Sequence, residues 1–433
     1  MKLEKILLYN FIISFFLVRL QPFYYFPFIR NPLFNTHTLA RLFILLNLII
    51  IFYLLWNKKA RLFLNKKVSV LIMFFFITLT LSIISAINIV SFLSSYKEFV
   101  FGIMFFINTL YIFKERKEIE LFVKWINLTL FLNIFVMLLI YFFSNWGNIF
   151  QFFLYEKYWD VLRVNLLRGR YFIEFLDFAL LPFIFYEFFL FKNNFESNNI
   201  KKIKRILSGV IILFLLIFLA LVSNFRTHIL MLSFSFLCIF LFIFNNKFTF
   251  KMKSLIVFFL LFFYLSFNFV IRNFFLRTTL DRFNLQEEEY GSIIGRFKMW
   301  DYAKEMLIYK PFTGIGLGNY YDYLPNKEKT VFSLFEFSKL LNQVTLIDPH
   351  NIFFSLLSQA GLFSNFFLIA IIFYFLKEDY FVIKIKHNKL NLIKTFIISF
   401  WGIFLYSAIN PVITFHFWTL FFVFRAIIIN LHY

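Results

Sequence analysis

Residues 39–56 read LARLFILLNLIIIFYLLW, eighteen positions with a single charge, Arg41, near the start. A helix that crosses a bilayer needs about 20 mostly apolar residues. The apolar run is continuous and does not alternate every second residue, so it reads as a helix and not as a barrel strand. Comparable runs lie near 6–20, 68–86, 92–113, 121–143, 172–191, 206–222, 228–244, 254–271, 352–376, 392–410 and 412–430. The first is short and ends at Arg19, and the last two are barely separated, so ten to twelve spans are expected, read as about twelve. The 433 residues are 61% hydrophobic, 24% aromatic and 15% charged, with mean hydropathy +0.78. Soluble domains are roughly 45–50% apolar and about 25% charged. The expected class is an all-α polytopic membrane protein, and soluble enzymes, disordered tails and disulfide scaffolds are excluded. The single cysteine, Cys238, lies in an apolar run, so no intrachain disulfide is possible and no thiolate metal site is expected. The 76 Phe fit an AT-rich coding bias, and individual Phe residues carry little functional weight.

The net charge of +21 then divides by topology. With the N-terminus inside, 22 basic residues fall on the cytoplasmic face, clustered around Lys58–Lys67, Lys114–Lys117, Lys192–Arg205, Lys247–Lys253 and Lys377–Lys389. The short outer segments carry only Arg30, Lys157, Arg163, Arg168, Arg170 and Arg226. This asymmetry orients the chain with both termini cytoplasmic, and its basic residues require no nucleic acid. The first run lacks a small-residue cleavage site before Arg19, so it is expected to stay as a signal anchor. Spans one to nine occupy 1–271, spans ten to twelve occupy 352–433, and a long outer segment, 272–350, separates them. Long insertions of this kind usually carry function.

That outer segment is mixed in charge. It contains a helical stretch, Arg296–Ile308, with Phe297, Trp300, Met306 and Leu307 spaced between polar residues. The chain then reaches Lys310-Pro311 and the run Phe312-Thr313-Gly314-Ile315-Gly316-Leu317-Gly318-Asn319. Asp348-Pro349-His350-Asn351 precedes the tenth span, in which Gln359-Ala360-Gly361 lies about one-third of the way along. The alternating glycines are expected to form a tight turn packing the loop against the bilayer. They follow no strand, and no ATP is available outside the cell, which argues against a nucleotide loop. Glu287-Glu288-Glu289 has no His or Asp partner at ligand spacing and reads as a solvated face.

These elements resemble the O-antigen ligase and O-antigen/exopolysaccharide polymerase superfamily. The resemblance rests on Gly295-Arg296 with Trp300, on Pro311-Phe312-Thr313-Gly314-Ile315-Gly316, and on His350-Asn351 with nine residues before Gly361. Ser364 stands where the family often has a further Gly. Ser223-Asn224-Phe225-Arg226 matches the family's Ser-Arg with two residues inserted. Arg168-Gly169-Arg170 matches its Arg/Gly-rich lead into a Phe-containing helix. The resemblance implies a GT-C-like fold with a catalytic loop, 272–351, on the periplasmic face of the bacterial inner membrane. It implies inverting transfer of a glycan from a polyprenyl (undecaprenyl) diphosphate to a hydroxyl of lipid-A core or of another glycan. Neither metal nor cofactor is implied.

The residue types suit that chemistry. A departing diphosphate needs fixed positive charge, and arginine binds phosphate oxygens in bidentate fashion. Arg226, in a short outer turn, is a candidate for this role, against snorkelling at a helix end. Arg296 on the loop helix is a second, against a surface charge. Of Arg168 and Arg170, one could bind phosphate while the other anchors the interface. The attacking hydroxyl must lose a proton, for which histidine suits neutral pH. His350 is the candidate base, against a capping loop in which Asp348 or Asn351 caps and the histidine is incidental. The positive end of the following helix favours the neutral imidazole. His387 and His432 fall inside, His37 and His416 lack a supporting motif, and His228 suits a core or interface role. Asn351 is expected to support His350. Glu174 and Asp177, i and i+3 on the sixth span, are expected to hold the arginines or to contact the acceptor, and hydrolysis by this pair is disfavoured. Lys97-Glu98 is expected to form an internal pair. A rival class is a flippase of lipid-linked sugars, which would line several spans with polar groups. The charges are instead expected to gather at the outer edge.

Overall fold

The computed structural model describes residues 2–19, 36–57, 66–142, 175–187, 207–217, 226–239, 292–325, 348–384, 391–408 and 415–432. Within these the chain is all-helical, with no strand. The helices are α1 (Lys2–Arg19), α2 (Thr36–Trp56), α3 (Lys66–Leu81), α4 (Ile89–Ile112), α5 (Arg116–Phe142), α6 (Leu181–Phe185), α7 (Leu207–Ile217), α8 (Arg226–Cys238), α9 (Ser292–Tyr309), α10 (Tyr320–Tyr323), α11 (Ile352–Lys384), α12 (Asn391–Ser407) and α13 (Phe415–His432). Among the described residues, four helical stretches are long and apolar enough to cross a membrane: Thr36–Trp56, Lys66–Ser85, Ile89–Ile112 and Ile352–Lys384. The expected span at 254–271, and 272–291 and 326–347 of the long loop, lie outside the described residues.

Local chemistry explains several boundaries. Asn88 caps α4, its side chain accepting from Val90 N at 2.9 Å, so the helix starts three residues before the expected span. The sixth expected span opens differently from a plain α-helix. Phe175–Leu180 is a 3₁₀ turn, followed by the short α6 with Pro182 in its first turn. Proline has no N–H to give an α-helical bond, so it suits the start of a helix and not its interior.

α13 lies at the centre of the bundle, with Phe417 to Ile429 buried throughout. It packs on α4 through Phe99–Trp418 at 5.1 Å and Phe106–Phe422 at 5.8 Å, and on α12 through Phe400–Phe421 at 4.9 Å. Gly102 lets α4 approach closely: a Cβ there would come within 2.8 Å of Trp418 Cβ. Asn430 on α13 donates to Thr109 O, Leu110 O and Phe113 O, tying α13 to the end of α4. α1 joins the same core through Phe15–Phe122 at 4.7 Å. α3 packs along α11, where Phe74 stacks on Phe367 at 5.3 Å. The phenylalanines thus fill the interior with edge-to-face contacts, a packing role.

Charged side chains within helices are not confined to the end of the bundle that carries His350. Near the C-terminal end of α11, Arg425 of α13 is 1% exposed and donates to Asp379 at 2.7 Å and to Glu378 at 2.8 Å. Trp401 Nε1 donates to the other Asp379 oxygen at 2.9 Å, and the guanidinium lies over the Phe375 ring at 3.8 Å. This cluster ties α11, α12 and α13 together. Arg425→Met should destabilise the folded protein by about 3–5 kcal/mol, because the buried Asp379 and the part-buried Glu378 lose their counter-charge. Thermal unfolding in detergent checks this, and adding Asp379→Asn with Glu378→Gln should restore most of the loss.

Candidate functional site

α9 ends where Lys310 precedes Pro311, as the steric restriction before proline dictates. Its inward residues Met299, Ala303 and Met306 are buried against Ile315, Tyr320 and Leu324, forming a small core of their own beside the membrane helices. Tyr320 donates to Met299 O at 2.6 Å, closing the segment that follows the glycines back onto the helix. Beside it, burial with Glu305 and Tyr309 nearby pushes the Tyr323 phenol up, so it stays a neutral donor at working pH.

α11 is broken at Gly361, which has φ 80° and ψ −179°. Only glycine adopts this region readily. The break releases helical hydrogen bonds, and the Pro311–Gly316 segment takes them. Leu362 N donates to Pro311 O at 2.9 Å, Ile315 N to Ser358 O at 3.0 Å and Gly316 N to Gln359 O at 3.0 Å. Gln359 is fully buried, and its side-chain oxygen accepts from Gly318 N at 2.6 Å. A Cβ on Gly361 would collide with Phe312 O. The far side of the same turn docks on the α3–α4 corner, where Ile87 N donates to Ile315 O at 3.3 Å and Asn319 Oδ1 accepts from Asn88 N. The glycine run is therefore a tight turn, as expected, but it packs on a broken helix and a helix corner.

The break leaves a short half-helix, Ile352–Ala360, whose N-terminus carries His350 and Asn351. Asn351 is the cap: its Oδ1 accepts from Phe353 N at 3.0 Å and Phe354 N at 3.2 Å, and its Nδ2 donates to Ala408 O at 3.0 Å. His350 is the one described non-glycine residue with positive φ, 53°. Such a backbone costs about 1–3 kcal/mol and persists only where surroundings impose it. Two contacts impose it here. Asp348 Oδ1 accepts from His350 N at 2.8 Å, and Trp300 Nε1 donates to Pro349 O at 2.8 Å. Trp300 also stacks on Phe354 at 5.1 Å. Arg296 stands one turn before Trp300 on the same face of α9, so the helix side that docks beside His350 also carries this guanidinium.

The expected site residues separate accordingly. His350, Asn351 and Arg296 lie on elements that the structure joins. Arg226 is the first residue of α8 and Asp177 lies in the 3₁₀ turn Phe175–Leu180. α8 and that turn are neighbours, with Ser235 Oγ donating to Phe178 O at 3.1 Å. Arg168, Arg170 and Glu174 lie outside the described residues, as does Ser223. Glu98 does pair internally, chiefly with Arg41 of α2 and more distantly with Lys97 at 3.9 Å. Sequence reasoning assigned no role to Gln359 or to the Trp300 indole. A buried glutamine in an apolar run was the available signal, since such a side chain must find a partner.

Residues 211–374 match the model of the O-antigen ligase family. The matched stretch contains Arg226, Arg296, the glycine turn, His350 and Gly361, and stops short of Arg168, Arg170, Glu174 and Asp177. No curated protein matches the chain.

Gly361→Ala should expel the Pro311–Gly316 segment from the break. Hydrogen exchange should then accelerate at Ile315, Gly316 and Leu362, with the α4–α13 core amides unchanged. Unaltered protection at all three would contradict the clamp.

Proposed function

We propose that this protein transfers a glycan from a polyprenyl diphosphate to an acceptor hydroxyl on the periplasmic face of the bacterial inner membrane, with both chain termini in the cytoplasm. The observation that carries this reading is the joint Trp300–Pro349 at 2.8 Å, which seats the Arg296 helix beside the left-handed His350. In the proposed reaction the acceptor oxygen forms a bond to the anomeric carbon as the bond from that carbon to the diphosphate oxygen breaks. His350 takes the hydroxyl proton, and the electron pair leaves on the diphosphate. Arg296 and Arg226 stabilise the charge that develops there, with Arg168 or Arg170 as a further ligand. Glu174 and Asp177 would orient these arginines or the acceptor, and Asn351 holds the start of the half-helix that bears His350. A single displacement inverts the anomeric configuration and needs no metal or other cofactor.

Ligation of O-antigen to lipid-A core is the preferred form, because His-Asn stands where ligases of this superfamily carry it. Repeat-unit polymerisation uses the same motifs, with a glycan hydroxyl as acceptor. A flippase would leave the ordering of His350 by Asp348 and Trp300 without a purpose.

His350→Ala should insert and fold normally while losing about 10²–10⁴-fold in transfer rate, the usual contribution of a general base. Arg226→Ala should lose about 10²–10³-fold, as when one donor to a developing oxyanion is removed. Reconstituted protein with a lipid-linked donor gives both rates, and a chelator should leave the unmodified protein active. Full activity in both variants would overturn the site assignment.

A further inference from the structure

The half of α11 that follows the break carries no charge from Leu362 to Leu376, about 22 Å of a hydrocarbon core about 30 Å thick. Phe363, Phe366, Phe373 and Tyr380 form an exposed stripe down it at helical spacing. In a span, an exposed aromatic stripe faces lipid. The stripe does not end at the break. Phe312, in the loop, stacks on Phe363 at 5.5 Å and is itself 60% exposed, and Ile308, one turn back on α9, is 81% exposed.

A second lipid-facing stripe reaches the same place. On α3, Met73, Ile77 and Leu81 are exposed in sequence, and the stripe continues to Ile84, 76% exposed at the corner before α4. That corner carries no charge between Ser82 and Tyr96, and the glycine turn is hydrogen-bonded to it through Ile87. A corner standing in water would not present isoleucines on its exposed side, and neither would the loop that docks on it. Between them Lys310 is exposed, its ammonium 5.3 Å from the Tyr309 ring, at the edge of the apolar surface.

From the convergence of these two stripes we infer that the end of α9 and the following turn, through Ile308, Tyr309 and Phe312, are immersed in the outer leaflet. Bilayer phospholipid covers them, and Lys310 reaches up to the headgroup phosphates. The partner is the lipid surface itself: an aromatic and aliphatic face against acyl chains, with a cation at the phosphate level, is the chemistry of an interfacial anchor. Such faces bury about 5–10 Å into the boundary between headgroups and chains. The loop is then fastened at its foot to both the broken helix and the membrane, which sets the height of Trp300 and His350 above it.

Nitroxide labels on cysteines placed singly at 308, 312, 301 and 366 test this in the full chain, with Cys238→Ser removing the native thiol. The protein is reconstituted in phospholipid nanodiscs, and collision of each label with oxygen, which concentrates in lipid, is compared with collision with a water-soluble nickel chelate. The labels at 308 and 312 should match that at 366 on the lipid-facing stripe, with an oxygen-to-nickel ratio several-fold above that at the solvent-facing 301. Labels at 308 and 312 that behave like 301 would overturn the inference. The readout needs no glycan, so its failure would leave the transferase reading standing, and an inactive protein would leave the immersion measurable.

Discussion

At Gly361 a membrane helix gives up part of its own hydrogen bonding, and a segment some fifty residues earlier in the chain supplies the replacement. This exchange is the constraint on which the half of the molecule that carries His350 depends. Unpaired backbone groups at membrane depth cost several kcal/mol each, so a broken span is tolerated only where protein fills the gap. Pro311, Ile315 and Gly316 do so with their backbone, and Gln359 adds its side chain. Because the bonds are backbone to backbone, they fix the position of the loop without requiring particular side chains there. The glycines are needed where a Cβ would occupy the space of the backbone packed against them.

The consequences run outward from that joint. Breaking α11 leaves Ile352–Ala360 as a separate half-helix, and Asn351 caps its N-terminus. The segment that fills the break also ends α9, so α9 lies against α11 with Trp300 on Pro349 and Phe354. His350 is strained and doubly held as a result. A joint made for backbone satisfaction thus also carries the proposed chemistry. The opposite end of α11 is secured by a different device, the Arg425 cluster with Asp379 and Glu378. The helix that holds the candidate site is pinned near its N-terminal end by hydrogen bonds and near its C-terminal end by buried charge.

Much of this was legible in the residues. The spans at 39–56, 68–86 and 92–113 could be read from continuous apolar runs, because bilayer thickness leaves little choice of length or conformation. The loop helix followed from its periodicity and from Pro311. The motif order from Gly295 to Gly361 singled out segments that the structure joins. Other features depend on partners distant in sequence. Gly361 read as one glycine in a span, and nothing near it indicates that its backbone conformation is filled from Pro311–Gly316. Arg425 lies in an apolar run and its partners are 46 and 47 residues away, so the pairing shows only once α11 and α13 are side by side. The 3₁₀ turn before Pro182 reflects a local competition that hydrophobicity does not report. His350 was found by its motif, but its left-handed backbone is a product of Asp348 and Trp300.

The account stands or falls on whether a new glycosidic bond is made. The direct measurement is the mass of the products when the purified protein, in vesicles free of other enzymes, meets a polyprenyl diphosphate glycan and lipid-A core. The account predicts the core carrying the donor's glycan and an equal amount of free polyprenyl diphosphate. Donor recovered intact but moved to the other leaflet, with no glycan on any acceptor, would contradict it.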